Sequence, residues 1–342
     1  MTPRRPTRLA DIAEVAGVHV STVSRILNED PNLSVSPDTV ERIMATARQL
    51  GYRPNALARA LKKASAGALA MVVPLMRNPI WAELQRGAIQ RAAQHGYVVL
   101  MMDEPTDDPR PPCSYEYLVE ESRVDGLLLA TALRSGPGQR KDLTVPHVFV
   151  NRRGPRRGND VVMDEAGAVR LFIDHIVELG HRRVLFVDGP DGIDTIHRRV
   201  STARRLCAAR GLELTVINTP QTEQGGWDAL HEALNQGIGA TACGVGSLNQ
   251  MFGVIAGLRA AGLRIPEDVA VVSFDEDECL SFLEAPVTSV SMPLYALGAA
   301  AVDALLDRIS GAPARDVLIK APIELLVRSS TAPCEATRMS AQ

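Results

Sequence analysis

Near the N-terminus, "VHVSTVSRILN" (residues 18–28) sets Val20, Ser21, Ser24 and Arg25 at helical spacing, a run of small residues that ends in a guanidinium. Such a face can approach a duplex closely. Arginine offers two parallel donors that match the O6 and N7 edge of guanine, a pair worth roughly 1–3 kcal/mol of base discrimination. The same pattern also fits an ordinary helical hairpin with a solvated face. Enzymatic chemistry finds little footing elsewhere. There is no G-x-S-x-G, no Walker loop, no H-E-x-x-H and no Cys/His pair at ligand spacing, and the seven histidines are dispersed. "GVGSLN" (244–249) begins like a dinucleotide loop but lacks its last glycine, and the one acid pair about 20 residues on, Glu267–Asp268, reads as loop. No cofactor and no metal are expected.

The elements that must hold that face are short helices. Thr7 is placed to cap a first helix running to about Ala16, and Gly17 permits a turn. A second helix covers about Val20 to Asn28. Ile12, Ala16, Val23 and Leu27 are the expected inward positions that join the pair, which has the layout of a helix-turn-helix. Ser36-Pro37-Asp38 is a third helix start, with a hydroxyl cap, a proline in the first turn and an acid at the positive end of the dipole. That helix ends near Leu50-Gly51, and Asn55 opens a last short helix, "ALARALKK". From Leu69 the rhythm changes. Near-continuous apolar runs ("LAMVVPL", "YVVLMMD", "VDGLLLA", "VPHVFVN", then "RVLFVDG", "LELTVIN", "ATACGVG", "DVAVVSFD", "IELLVRSS") alternate with amphipathic helices, and the pattern restarts after Asp164. This predicts two doubly wound parallel sheets covered on both faces, with ligands beyond the carboxyl ends of the strands. His181, in "ELGHRR", sits at a helix end, where it can interact with the last carbonyls.

Charge divides the chain the same way. Residues 1–63 hold ten Lys/Arg and six Asp/Glu, hence +4; the remainder holds 27 and 34, hence −7. A basic head on an acidic body fits a head that meets a polyanion. The five cysteines (113, 207, 243, 279 and 334) are odd in number and form no C-x-x-C. They fit reduced thiols in a cytoplasm, as does an N-terminus with no apolar segment behind its positive charges. No run is long enough to span a membrane, so no membrane partner is expected.

"LADIAEVAGVHVSTVSRILN" with "VSPDTVERIMATARQLGYRPNALARALK" resembles the headpiece of the lactose/galactose/purine repressor (LacI-type) family. "VVPLMRNPIWAELQRGAIQRAAQHGY", "RVDGLLL", "ELGHRRVLFVDGP", "GLRIPEDVAVVSFDE" and "PVTSVSMP" resemble that family's effector domain in the same order, so the likeness covers essentially the whole chain. The resemblance implies a cytoplasmic, nucleoid-associated regulator that binds a pseudo-palindromic operator as a homodimer and answers to a small polar effector. The implied layout is a helix-turn-helix domain over 1–54 and a hinge helix and linker over 55–67. An N-subdomain of 68–164 plus about 292–321, a C-subdomain of 165–291 plus about 322–332, and a loose tail of 333–342 complete it. Val20, Ser21 and Arg25 align with base-reading positions, and Thr22, Ser24, Asn28, Ser36, Tyr52 and Asn55 with phosphate contacts. Ala58 and Leu61 align with the hinge helix that enters the minor groove. There an apolar wedge unstacks one base step at a cost of a few kcal/mol, offset by contacts on the bent duplex. Asn78, Ile80, Trp81, Arg152, Arg199, Gln221 and Asp275 align with effector contacts, Arg199 and Asp275 offering a donor and an acceptor.

Three departures stand out. His19 replaces the usual serine at the cap of the base-reading helix, leaving a shifted helix start, a DNA contact or a solvated ring as readings. Ser247-Leu248 replace asparagine-aspartate, and Thr202 replaces a glycine near Arg199, which weakens the expectation of a carbohydrate effector. Two other classes remain on the sequence alone: a small-molecule-binding protein without a DNA role, and a nucleotide-cofactor enzyme.

Overall fold

In a computed structural model the described residues are 7–27, 33, 35–52, 65–74, 76, 78–104, 115–131, 143–154 and 158–334. The chain divides into two units, Met1–Ala66 and Gly67–Gln342.

The first unit holds α1 (Leu9–Ala16), α2 (Val20–Leu27) and α3 (Pro37–Gln49). Gly17 ends α1 with φ +64°, a left-handed conformation that glycine adopts without steric cost. Ser36 caps α3, its hydroxyl accepting the Thr39 N–H. Ile12, Val23 and Ile43, one from each helix, are fully buried and meet at the centre. One sequence expectation is corrected here. Thr7 does not cap α1: its hydroxyl donates to the Leu50 carbonyl at 2.8 Å, tying the chain start to the end of α3, and Arg8 is the cap residue. On α2, Leu27 packs half-buried against this core as expected, and Ile26, not anticipated, is buried beside it.

The second unit contains two six-stranded sheets. In chain order its strands are β1 (Ala68–Val73), β2 (Val98–Asp103), β3 (Gly126–Leu129), β4 (His147–Val150), β5 (Asp160–Val162), β6 (Arg183–Asp188), β7 (Glu213–Asn218), β8 (Ala242–Val245), β9 (Ala270–Ser273), β10 (Thr288–Ser291), β11 (Val317–Leu318) and β12 (Glu324–Leu326). The helices are α4 (Ile80–Gln94), α5 (Glu116–Glu120), α6 (Glu165–Glu178), α7 (Asp194–Arg210), α8 (Glu223–Asn235), α9 (Leu248–Ala260) and α10 (Leu294–Ile309). One sheet runs β2-β1-β3-β4-β5-β11, all parallel; the other runs β7-β6-β8-β9-β10-β12, parallel except that β12 lies antiparallel to β10. The chain therefore passes between the sheets three times: after β5, after β10, and between β11 and β12.

The period of two in a strand explains the layers. Val184 and Phe186 of β6 join one core with α6 and α7, whereas Leu185 and Val187 join the opposite core with α8 and α9. Both faces are dry, so the strands read as unbroken apolar runs. Helices α8 and α9 touch backbone to backbone at glycines. A Cβ at Gly226 would lie 2.0 Å from the Gln250 carbonyl oxygen, and one at Gly253 would lie 1.9 Å from that of Glu223. β5, β10 and β11, absent from the sequence reading, are two to four residues long. No helix among the described residues is long and apolar enough to cross a membrane.

Candidate nucleic-acid interface and ligand cleft

The face of α2 follows from its burial. With Val23 and Ile26 turned to the core, Val20 (39% exposed) and Ser21 face solvent, while Thr22, Ser24 and Arg25 are half-buried at its margins. The helix begins at Val20, so the His19 substitution has not shifted its start. Ser36 caps α3 by accepting the Thr39 N–H, and Tyr52 packs half-buried against the three-helix core. Asn28, Asn55, Ala58 and Leu61 lie outside the described residues.

In the second unit the sequence candidates fall at the carboxyl ends of strands and on the helices that follow them. Arg199 lies on α7, buried to 7% exposure. Its guanidinium donates to the Gly246 carbonyl at 2.8 Å and stands over the Phe274 ring at 5.5 Å. Its Nε is 3.2 Å from Glu165 Oε2 and 3.6 Å from Asp188 Oδ2. Asp275, after β9, accepts the Leu248 N–H at 2.9 Å with Oδ2. Ser247, the residue that departs from the family pattern, caps α9 by accepting the Gln250 N–H. Arg152 is buried after β4, near Asp194 and Glu104; burial pulls it down to about 10 and those carboxylates counter this.

Charge in this cluster is unbalanced. Burial raises the pKa of Glu165, Asp188 and Asp275, the last to about 6, and the attraction of Arg199 offsets only part of that. Burial acts to lower Arg199, but Asp188, then Glu165 and Asp275, outweigh it and hold the guanidinium above its ordinary value. Asp188 and Asp275 thus depend on Arg199, while Glu165 is offset by both Arg199 and Arg198. Four buried polar atoms here lack a hydrogen bond: Asp188 Oδ2, Arg199 Nε, Arg198 Nη2 on α7 and Asn249 Nδ2 on α9. Buried polar groups are normally satisfied, by protein, water or ligand, so this concentration makes the cluster the candidate polar site of the second unit.

The remaining candidates are divided. Ile80, Phe274, Asp275, Glu276, Met292 and Tyr295 border one cavity of about 210 Å³, so Ile80 from α4 is brought beside Asp275. Asn78 turns inward, its side-chain oxygen accepting the Ile80 N–H at 3.2 Å. Trp81 is buried in the core under the first sheet, packed rather than displayed. Gln221 lies over Gly189 at the end of β6. Glu165 and Asp188 were missed in the sequence. The only signal was an acid ending the apolar run "RVLFVD". His181 meets the last turn of α6 through its backbone, its N–H donating to the Ile176 carbonyl at 3.0 Å. It bonds Thr241 and the Ala332 carbonyl from a buried position, and contacts no terminal carbonyl of α6 through its ring.

Residues 8–55 match the pattern described as bacterial regulatory proteins, lacI family, and residues 173–331 match the periplasmic binding protein-like domain. A transcriptional regulator of the helix-turn-helix type from the aml 5′ region of Streptomyces limosus is 33% identical over 346 residues, covering 95% of this chain and 94% of that one. The ribose operon repressor of Escherichia coli K12 is 29% identical over 310 residues, covering 88% and 93%. Among solved structures, the complex of transcriptional regulator CelR with cellobiose superposes with TM-score 0.69 at 28% identity over 95% of this chain and all of that one.

Proposed function

Because the chain belongs to the lacI family of bacterial regulatory proteins, we propose that it is a repressor that reads a pseudo-palindromic operator as a homodimer and answers to a small polar effector in the cleft of the second unit. The observation that carries this reading is the pairing, in one chain, of an exposed helix face at Val20 and Ser21 with a separate cluster of buried polar atoms at the strand ends of the second unit that lack hydrogen-bond partners. Val20, Ser21 and Arg25 read bases, and Thr22, Ser24, Asn28, Ser36, Tyr52 and Asn55 hold phosphates. Ala58 and Leu61 form the minor-groove hinge within 55–67. A helix of that length has little stability alone, so a modest shift in the body can decide whether it forms.

The cleft set is Asn78, Ile80, Arg152, Arg199, Gln221 and Asp275, to which Glu165 and Asp188 are added; Trp81 acts through packing. An excess of carboxylates disfavours an anionic effector and suits a neutral polyol whose hydroxyls donate to them. A sugar is the leading class, in keeping with the ribose and cellobiose named for two relatives. Self-association has a surface to use. Ile89 on α4 is 46% exposed, Val98 on the edge strand β2 60%, and Phe282 79%. Apolar residues on an open edge strand are usually covered by a partner.

The test is selection of bound fragments from a genomic library by the full chain, followed by binding titrations with candidate sugars. The expected outcome is a two-fold-symmetric site released or tightened by one sugar class, with Leu61→Ala losing specific binding far more than non-specific binding. No preference over random competitor, with or without sugars, would refute the reading.

A further inference from the structure

His19 occupies the cap place of α2: its carbonyl accepts the Thr22 N–H at 2.9 Å and the Val23 N–H at 3.3 Å. Its imidazole is engaged as well. Nδ1 accepts the Ser21 backbone N–H at 3.3 Å and lies 2.7 Å from Ser21 Oγ. The two contacts are satisfied together when the ring hydrogen is on Nε2. A ring nitrogen that accepts an N–H carries no hydrogen of its own, so the hydrogen between Nδ1 and Oγ belongs to the serine. Ser21 therefore donates inward to His19 and turns only lone pairs outward. A free serine hydroxyl donates or accepts, and so pairs with any base edge.

We infer that His19 is a specificity-determining positioning residue: by holding the Ser21 proton it makes Ser21 an obligate acceptor, so that α2 selects, on the strand it touches, a base whose major-groove edge carries an exocyclic amine. Adenine N6 and cytosine N4 present such donors in the major groove, whereas guanine O6 and thymine O4 present acceptors that an acceptor-only Ser21 rejects. The inference rests on the DNA-reading role of α2 and adds a rule for one position of the half-site.

The experiment is selection from a randomised duplex library by the full-length wild type, Ser21→Ala, His19→Ala and His19→Asn. Ser21→Ala identifies the position that Ser21 reads. There the wild type is expected to favour A or C over G or T by about three- to tenfold, the range of one net hydrogen bond. His19→Ala is expected to bring that ratio within about twofold at this position, with the position assigned to Arg25 unchanged. In His19→Asn the amide oxygen stands about where Nδ1 does, and the preference is expected to return. A merely structural cap would weaken every position together. Such uniform loss overturns the inference, as does a preference retained in His19→Ala, a wild-type preference for G or T, or no position relaxed by Ser21→Ala. A wild type that enriches no sequence at all removes the DNA-binding reading itself, and this inference with it.

Discussion

Asp275 gives the most demanding test of the cleft. Its carboxyl is 5% exposed, and burial lifts its pKa from the ordinary 3.8 to about 6 even with Arg199 nearby. A rise of about two pH units, at roughly 1.4 kcal/mol each, means that holding the ionised form costs about 3 kcal/mol at neutral pH. The sign follows from linkage. Between pH 3.8 and 6 the folded state binds more protons than the unfolded one, so the contribution is fully present below 3.8 and is lost as pH rises through 6. Asp275→Asn removes the charge and retains a side-chain oxygen for the Leu248 N–H. The variant is therefore expected to be more stable than wild type by about 3 kcal/mol at pH 7.5, shrinking to about 1 kcal/mol at pH 4.5. For a unit of this size that is a rise of roughly 6–12 °C in midpoint at the higher pH. Thermal unfolding of the full-length protein at the two pH values measures it, and sugar titration is expected to show a lost or weakened response in the same variant. A variant less stable than wild type at pH 7.5 would refute the reasoning. The attraction of Arg199 would then exceed the desolvation penalty, and the carboxylate would be a structural brace rather than a group held charged for a ligand.

Two further outcomes follow from the same packing. Arg199→Ala strands Glu165 and Asp188 in a dry site, so it is expected to lower stability by about 3–5 kcal/mol and to abolish the effector response while operator binding survives at low temperature; an unaltered response in titration would exclude Arg199 from the pocket. Gly226→Ala places a methyl group 2.0 Å from the Gln250 carbonyl oxygen, where backbone cannot yield, and is expected to lower stability by about 3 kcal/mol, read as a drop in unfolding midpoint. A neutral result there would mean that α8 and α9 slide freely.

The chain's local punctuation decided much by itself. Gly17, Ser36-Pro37 and the apolar runs such as "RVLFVDG" place helix ends and strands because capping, left-handed turns and strand burial depend on residues near in sequence. What failed locally failed for want of period. β5 (DVV) and β11 (VL) are only three and two residues long and β10 (TSVS) is mostly hydroxyl-bearing, so none forms an apolar run, and Ile26 is overlooked beside Leu27 because both satisfy helical spacing from Val23. Antiparallel pairing of β12 with β10 likewise leaves no local trace. The acids around Arg199, unlike Arg199 itself, belong to tertiary structure. Glu165 opens α6, Asp188 ends β6 and Arg199 sits within α7, separated by whole elements with no shared motif. Only winding those helices against one sheet brings two acids within 4 Å of one guanidinium. Burial, a property of the assembled fold, then sets how strongly each of them holds its proton.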